Sequence, residues 1–253
     1  MNWLSNNYAY ALALLGRHLA LALPAVVVAL LIAVPLGYAA YQNPRLGRPL
    51  AGAATMLYAI PALPLLLLIP ALTGLPIRSP LTMVTALVVY GVALLVRATG
   101  DAFAAGDAAV MATATAMGLS ERQLFWRVRL PLAVPLIAAG LRVVAVSTVG
   151  LVTIGALVGI PSLGLLITDG FQRGITASVA AGVLGTALLG LLLDAAIVLA
   201  ARALTPWARA ASLADAAPGP RMSAATPTAA TTTPVNAAGA TVAEPTGGSG
   251  GAA

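Results

Sequence analysis

The chain has 253 residues, of which 60% are hydrophobic and 8% charged, with a formal net charge of +6. Its mean hydropathy of +0.97 is too high for a water-soluble globule, where apolar usage is nearer half, so the solvent that suits it is a bilayer. All thirteen basic residues are arginines, cysteine is absent and His18 is the one histidine, which removes a phosphate-loop lysine, a Schiff base, a thiol nucleophile, a Ser-His-Asp triad of the usual kind and most zinc sites.

Basic charge on so apolar a chain reports which loops face the cytoplasm, not a nucleic-acid surface. Uncharged runs of spanning length recur, and about 20 apolar residues suffice for a helix to cross. The runs are continuous rather than alternating, which favours helices over barrel strands. The expectation is an all-α membrane protein with five spans, about 18–41, 50–72, 80–98, 133–158 and 176–202, and a cytoplasmic loop at 99–132. Residues 1–17 read as an extracytoplasmic or interfacial segment; they show neither a basic n-region nor a clear cleavage site, against a removable signal peptide. Tyr8 to Leu15 reads either as a short interfacial helix or as an extension of the first span. His18 opens that span, where a headgroup-level partner is the ordinary expectation.

The second span, AIPALPLLLLIPAL, contains Pro61, Pro64 and Pro70. Each removes a donor and clashes one turn back. In lipid, the freed carbonyls need protein or a water-filled cavity, so the segment reads as a kinked, pathway-lining helix or as a packing irregularity. Tyr58 in this span and Tyr90 in the next are candidates to face a route. Arg97 and Asp101 lie four apart on one helical face, the spacing of an ordinary pair.

The loop carries MGLSERQLFWRVRLPLAVP, with Glu121, Arg122, Arg127 and Arg129 within ten residues. Asp107 is placed to cap a short helix, AAVMATATAM, and Gly118 to end it in the left-handed conformation. Ser120 and Gln123 have capping-box spacing, and Leu119 and Leu124 occupy the hydrophobic-staple positions. Pro131 then ends the second helix. The prediction is helix, sharp turn, helix at the membrane surface.

Asp194 interrupts the last span and Arg142 the fourth. Ionisable groups there are functional suspects, but Asp194 lies nearer the cytoplasmic end and reads at least equally as a solvated or hydrogen-bonded structural group; Arg142 has three readings, snorkelling, pairing with Asp194 or lining a cavity. Between these spans, IGALVGIPSLGLLITDGFQRG offers Gly159, Pro161 and Gly164 for a tight re-entrant turn. With the N-terminus outside, nine arginines (45, 48, 97, 122, 127, 129, 202, 209, 221) face the cytoplasm and three (17, 78, 173) the exterior, a positive-inside bias. Residues 208–253, rich in Ala, Thr, Pro and Gly, read as a disordered cytoplasmic tail.

The loop spacing resembles a known family. Ala112-Thr113-Ala114, three residues, Gly118, nine residues, Val128, one residue, then Leu130-Pro131 is similar to the EAA loop of ABC-importer permeases. It departs at the glutamate position, which is Ala112 here, and at the first alanine, which is Thr113. RVRLPLAVPLIAAGLR, GIPSLGLLITDGFQRG, LLLDAAIVLAARALTPW, IAVPLGYAA and LYAIPALPLLLLIPAL look like the osmoprotectant branch, which carries glycine betaine, choline or carnitine. The resemblance covers roughly residues 17 to 207, so 18–207 is the expected permease domain. It implies a type I importer permease of the cytoplasmic membrane that is not itself an enzyme. Its coupling loop, with Asp107, Ala112, Ala114, Gly118, Ser120, Glu121, Arg122, Val128, Leu130 and Pro131, would dock on a partner ATPase, Asp107 or Glu121 replacing the missing charge. ATP and Mg would bind to that partner and no cofactor to this chain. A second permease copy, identical or related, and an extracytoplasmic binding protein complete the expected assembly, the binding protein docking near Gly159, Pro161 and Gly164. The methionine branch shares the fold and stays open. An ion-gradient carrier would need ionisable pathway residues and usually an internal repeat, of which only Asp194 and Arg142 are visible. A membrane enzyme would need clustered acids, histidines or serines, which His18 alone cannot supply.

Overall fold

A computed structural model describes residues 2–206, and all the regular structure in them is helical. The elements are α1 (Asn2–Gln42), α2 (Pro44–Ala59), α3 (Ala62–Thr73), α4 (Pro80–Ala104), α5 (Ala108–Ala116), α6 (Glu121–Leu124), a π turn (Phe125–Arg129), α7 (Leu130–Ile154), a 3-10 turn (Gly155–Val158), α8 (Gly164–Gln172) and α9 (Thr176–Leu204). The tail expected at 208–253 lies outside the described residues.

Among the described residues, four helices are long and apolar enough to cross a membrane: Asn6–Gln42, Pro80–Ala104, Glu121–Val158 and Thr176–Leu204. The second expected span is instead two helices, α2 and α3, bent by 109°. The cause is local. Pro61 pushes Ile60 out of the helical region to ψ 122, and Pro61 itself is extended at ψ 145. Pro64 and Pro70 do not break α3; Pro64 falls in its first turn, where the missing donor matters least.

The first helix begins earlier than expected. The Tyr8–Leu15 stretch extends it, with a break at Asn7 (φ −124°, ψ 15°). Leu14 and His18 therefore lie within the packed bundle, not before it. The third expected span runs on to Ala104.

A larger departure occurs at Pro131, which does not end its helix. Leu130 remains helical (φ −63°, ψ −49°), and its amide bonds the Phe125 carbonyl five residues back. A π turn widens the helix by one residue, and this one lies just where a proline ring would otherwise strike the preceding turn. Glu121 to Val158 is consequently one rod of 38 residues.

α1 packs on α4, α4 on α7, and α7 on α9, while α2 lies along α4 and α8 against α9. Small residues allow close approach, as expected where lipid supplies no hydrophobic drive between helices. A Cβ on Gly91 would stand 2.9 Å from Ala29, and one on Gly140 2.8 Å from Ala98. Three apolar clusters are stacked along the bundle: one around Leu14, Leu66, Met83 and Val152, one around Ala33, Leu95 and Val144, and one around Phe103, Ala133 and Ile137. Thr99 Oγ1 lies 3.0 Å from the Ala33 carbonyl oxygen and 2.8 Å from that of Val96, so this buried hydroxyl has partners on its own helix and on α1.

His18 is fully buried, and its Nε2 lies 3.1 Å from the Val149 carbonyl oxygen of α7. Its partner is protein backbone, not a lipid headgroup. The expected pair between Arg97 and Asp101 does not form; Arg97 donates instead to Thr55 Oγ1 of α2 at 3.1 Å.

Candidate functional site

The charged loop folds as its residue types require. Asp107 Oδ1 accepts from the Ala109 amide at 2.8 Å, capping α5. At the other end, Gly118 has φ +81°. Its amide bonds Thr115 O at 2.9 Å and that of Leu119 bonds Ala114 O at 3.4 Å, the paired bonds of a Schellman stop. Ser120 Oγ accepts from Gln123 N at 3.4 Å, while Gln123 Oε1 accepts from Ser120 N at 3.0 Å. Both halves of the capping box are present.

Within α5, Ala114 is buried against the chain while Ala112, Thr113 and Val110 are exposed, and Met117 just beyond is 70% exposed. The helix thus presents an uncovered small-residue face. Arg122 is also exposed, and Val128, Leu130 and Pro131 are half-buried on the rod. Neither acid is idle: Asp107 is engaged as the cap, and Glu121 lies 3.4 Å from Arg129 Nη1, although its side chain is 76% exposed.

Sequence reasoning missed the joint beneath this loop. Arg129 Nη1 donates to Tyr38 Oη at 3.0 Å, and Gln42 Nε2 to the same oxygen at 2.6 Å. The Tyr38 ring lies 4.5 Å from Phe125 and 5.1 Å from Phe103, centroid to centroid. Aromatic contacts of this kind contribute about 0.5–1.5 kcal/mol each beyond burial. They clamp the π turn to α1 and α4. The only available signal was the aromatic spacing of Tyr38, Phe103 and Phe125, which no local pattern connects.

Arg142 and Asp194, from α7 and α9, are brought together. Nε lies 2.6 Å from Oδ1 and Nη2 2.9 Å from Oδ2, a fork-to-fork pair. Of the three readings for Arg142, pairing is the one the geometry shows. A cavity of about 570 Å³ opens beside Asp194 between α7, α8 and α9. Tyr58 and Tyr90 also meet, with centroids 5.2 Å apart, but neither lines that cavity. Pro61 and Pro64 lie exposed at the bend just after Tyr58. A second cavity, about 600 Å³ and lined by Leu30, Leu130, Leu141 and Ile197 among others, has no charged side chain in its lining.

The segment after α7 forms a compact turn, then the short helix α8. Gly159 has φ +83°, and a Cβ there would stand 3.0 Å from Arg78 Nε of the α3–α4 connection. Ser162 is buried; its Oγ lies 3.1 Å from Val152 O and accepts from Gly164 N at 3.2 Å. Gly164 is packed so closely that a Cβ would overlap the Thr153 carbonyl oxygen. Pro161 is half-buried between them. The described residues contain no group of three or more His, Cys, Asp or Glu able to hold a metal.

Comparison with known proteins agrees with this arrangement. The family model of the binding-protein-dependent transport system inner membrane component matches residues 6–209. The osmoprotectant import permease protein OsmW of Salmonella typhimurium is 33% identical over 197 residues, 77% of this chain and 91% of that protein. The glycine betaine/carnitine/choline transport system permease protein OpuCD of Bacillus subtilis is 30% identical over 203 residues, covering 80% and 87%. Among solved structures, an inward-facing MetNI methionine ABC transporter chain superposes with a TM-score of 0.68 at 20% identity, covering 77% of this chain and 95% of that one; at that identity the likeness is one of fold. This chain belongs to the family of inner-membrane components of binding-protein-dependent transport systems.

Proposed function

We propose that this chain is the permease subunit of an ATP-driven importer that moves a small osmoprotectant, such as glycine betaine, choline or carnitine, across the cytoplasmic membrane. The observation that carries the reading is the capped helix–glycine–helix of residues 107–124, welded to a membrane-length rod, in a chain whose relatives are named as osmoprotectant permeases. A soluble motor can move a membrane helix only through a contact that does not fray, and both ends of α5 are tied off.

In this reading the bent α2–α3 pair is the fifth span. The start of α2 lies by the end of α4, where Arg48 and Arg97 share a cleft, while Leu66 of α3 packs near the start of α4 with Met83. The pair therefore runs antiparallel to α4 along its length. With the N-terminus outside, the 107–131 loop and the nine arginines face the cytoplasm. Two ATPase subunits supply nucleotide and Mg sites and dock on the exposed face of α5. An extracytoplasmic binding protein delivers cargo at the Gly159–Gly164 turn, and a second permease copy completes the route. Motor closure swings the rod and switches the bundle between inward-open and outward-open states.

The test is co-purification and reconstitution with a candidate ATPase and binding protein. ATP-dependent uptake of labelled glycine betaine, abolished by omitting the ATPase, is expected. Uptake without an ATPase under an ion gradient would make the chain a carrier. Displacement of cargo by methionine but not by betaine would move it to the amino-acid importers, the second reading that the shared fold supports.

A further inference from the structure

A guanidinium carries five N–H donors in a rigid fork. Arg142 commits two of them to Asp194, at 2.6 and 2.9 Å. Its remaining three donors have no partner among the described residues, and 45% of the side chain is exposed on the protomer. The residue lies twelve positions beyond Leu130 on α7, and Asp194 ten before Leu204 on α9. At 1.5 Å per residue Asp194 lies roughly 15 Å inside the end of α9, and Arg142 meets it at that level, so both fall within helices long and apolar enough to cross a membrane.

Unsatisfied guanidinium donors are poorly hosted by lipid tails. The face that bears them must be turned toward water or toward another polar group. Beside it, the 570 Å³ cavity runs from Asp194 past Gly190, Thr186, Gly150 and Thr153. The cavity holds no aromatic side chain, so it has no ring cage with which to grip a quaternary ammonium. Its walls are almost wholly apolar and Asp194 is its one charged lining residue, while the uncommitted Arg142 donors lie beside it on the exposed face of the pair. The guanidinium offers donors to a carboxylate, and the Asp194 carboxylate offers negative potential to a cation.

Net charge then decides what can pass. The resting pair is neutral, and a zwitterion leaves it neutral. A lone cation adds an uncompensated charge in a medium of low dielectric, where that charge interacts strongly. We propose that Arg142 and Asp194 form a transient cargo site that accepts a net-neutral zwitterion, its carboxylate on the free Arg142 donors and its cationic end toward Asp194, in preference to a bare monocation. The proposal rests on the osmoprotectant reading above and adds that the permease itself discriminates by charge.

The experiment uses the full reconstituted complex, with uptake of labelled glycine betaine and of choline measured at saturating binding protein. Arg142→Gln leaves a net negative site and should raise the choline-to-betaine uptake ratio; Asp194→Asn leaves a net positive one and should lower it. The two ratios should differ by at least about tenfold, as expected for a unit charge a few ångströms away at an intermediate dielectric. Arg142→Lys keeps the charge but loses the fork, so betaine uptake should fall several-fold while choline uptake holds. The exchanged pair, Arg142→Asp with Asp194→Arg, restores neutrality and should bring the ratio back. Equal losses for both cargos in every variant, or unchanged betaine uptake in Arg142→Lys, would make the pair a structural brace and overturn the proposal while leaving the permease reading standing. A wild-type complex that carries neither cargo sinks the osmoprotectant reading first, and this one with it.

Discussion

Gly118 is the position where local chemistry can be separated most cleanly from packing. It adopts φ +81°, yet a Cβ built there would meet no atom within 4 Å. Substitution therefore costs backbone conformation and nothing else. For an L residue the left-handed region costs about 1–2 kcal/mol, less for asparagine and more for a branched side chain. If the backbone rotates away, the bonds from Gly118 N to Thr115 O and from Leu119 N to Ala114 O are lost together, so the turn opens as a unit. Since about 1.4 kcal/mol is a factor of ten in an equilibrium constant, Gly118→Val should lower the closed-to-open ratio of the turn by about tenfold or more. Gly118→Asn should stay near wild type, and Gly118→Ala should fall between. The readout is uptake, together with the ATPase rate stimulated by loaded binding protein, in the reconstituted complex; membrane insertion should not change. A ranking that follows side-chain size, with asparagine as damaging as valine, or wild-type uptake in the valine variant, would refute the reasoning.

Two further perturbations test packing near the far end of α7 from this loop. Gly164→Ala places a methyl group on the Thr153 carbonyl oxygen, a rigid backbone neighbour, and should lower stability by about 1–3 kcal/mol; an unchanged melting temperature in detergent would show that the turn is looser than described. His18→Leu keeps the volume but loses the contact to Val149 O and should cost about 0.5–1.5 kcal/mol, whereas His18→Ala adds a cavity and should melt distinctly lower; equal melting of the two variants would argue against tight packing at this site.

Where a residue acts on its own immediate neighbours, its role was readable from the chain. Asp107, Gly118, Ser120 and Gln123 each perform the task their type and spacing suggest, because caps and turns close within five residues. Pro61 breaks the second span for the same reason, although the break is far sharper than a kink because Ile60 is forced fully extended. Long-range partners were not readable. His18 finds Val149 across 131 positions, and Arg97 prefers Thr55 over the acid four residues away. Those choices depend on which faces of α1, α2, α4 and α7 meet, and the broad apolar surfaces of membrane helices leave that to small-residue contacts such as Gly91 on Ala29. For Arg142, spacing offered three fates, and only the crossing of α7 and α9 selects the pair.

Pro131 shows how one misread residue changes the mechanics. A helix stopped there would leave the loop hanging from the fourth span by a flexible joint, and a push on α5 would dissipate in it. The π turn removes the conflict by lodging one additional residue in the turn before the proline, so that the rod from Glu121 to Val158 is continuous. Its lower end is held by Tyr38, Phe103 and Phe125, its middle carries Arg142, and near its upper end the Val152 carbonyl is held by Ser162. In the proposed cycle, tilting the lower end must then move the ion pair. Deleting Val128 tests this directly. It takes out the additional residue, so the turn before Pro131 reverts to α geometry and the proline ring meets the carbonyl one turn back; the rod should then kink at that point and loosen Phe125 from Tyr38, while the Arg142–Asp194 contact lies beyond the deletion. The expected result is a protein that reaches the membrane and melts within a few degrees of wild type, yet shows no ATPase stimulation by the loaded binding protein. Wild-type coupling after that deletion would mean that force does not travel through the rod.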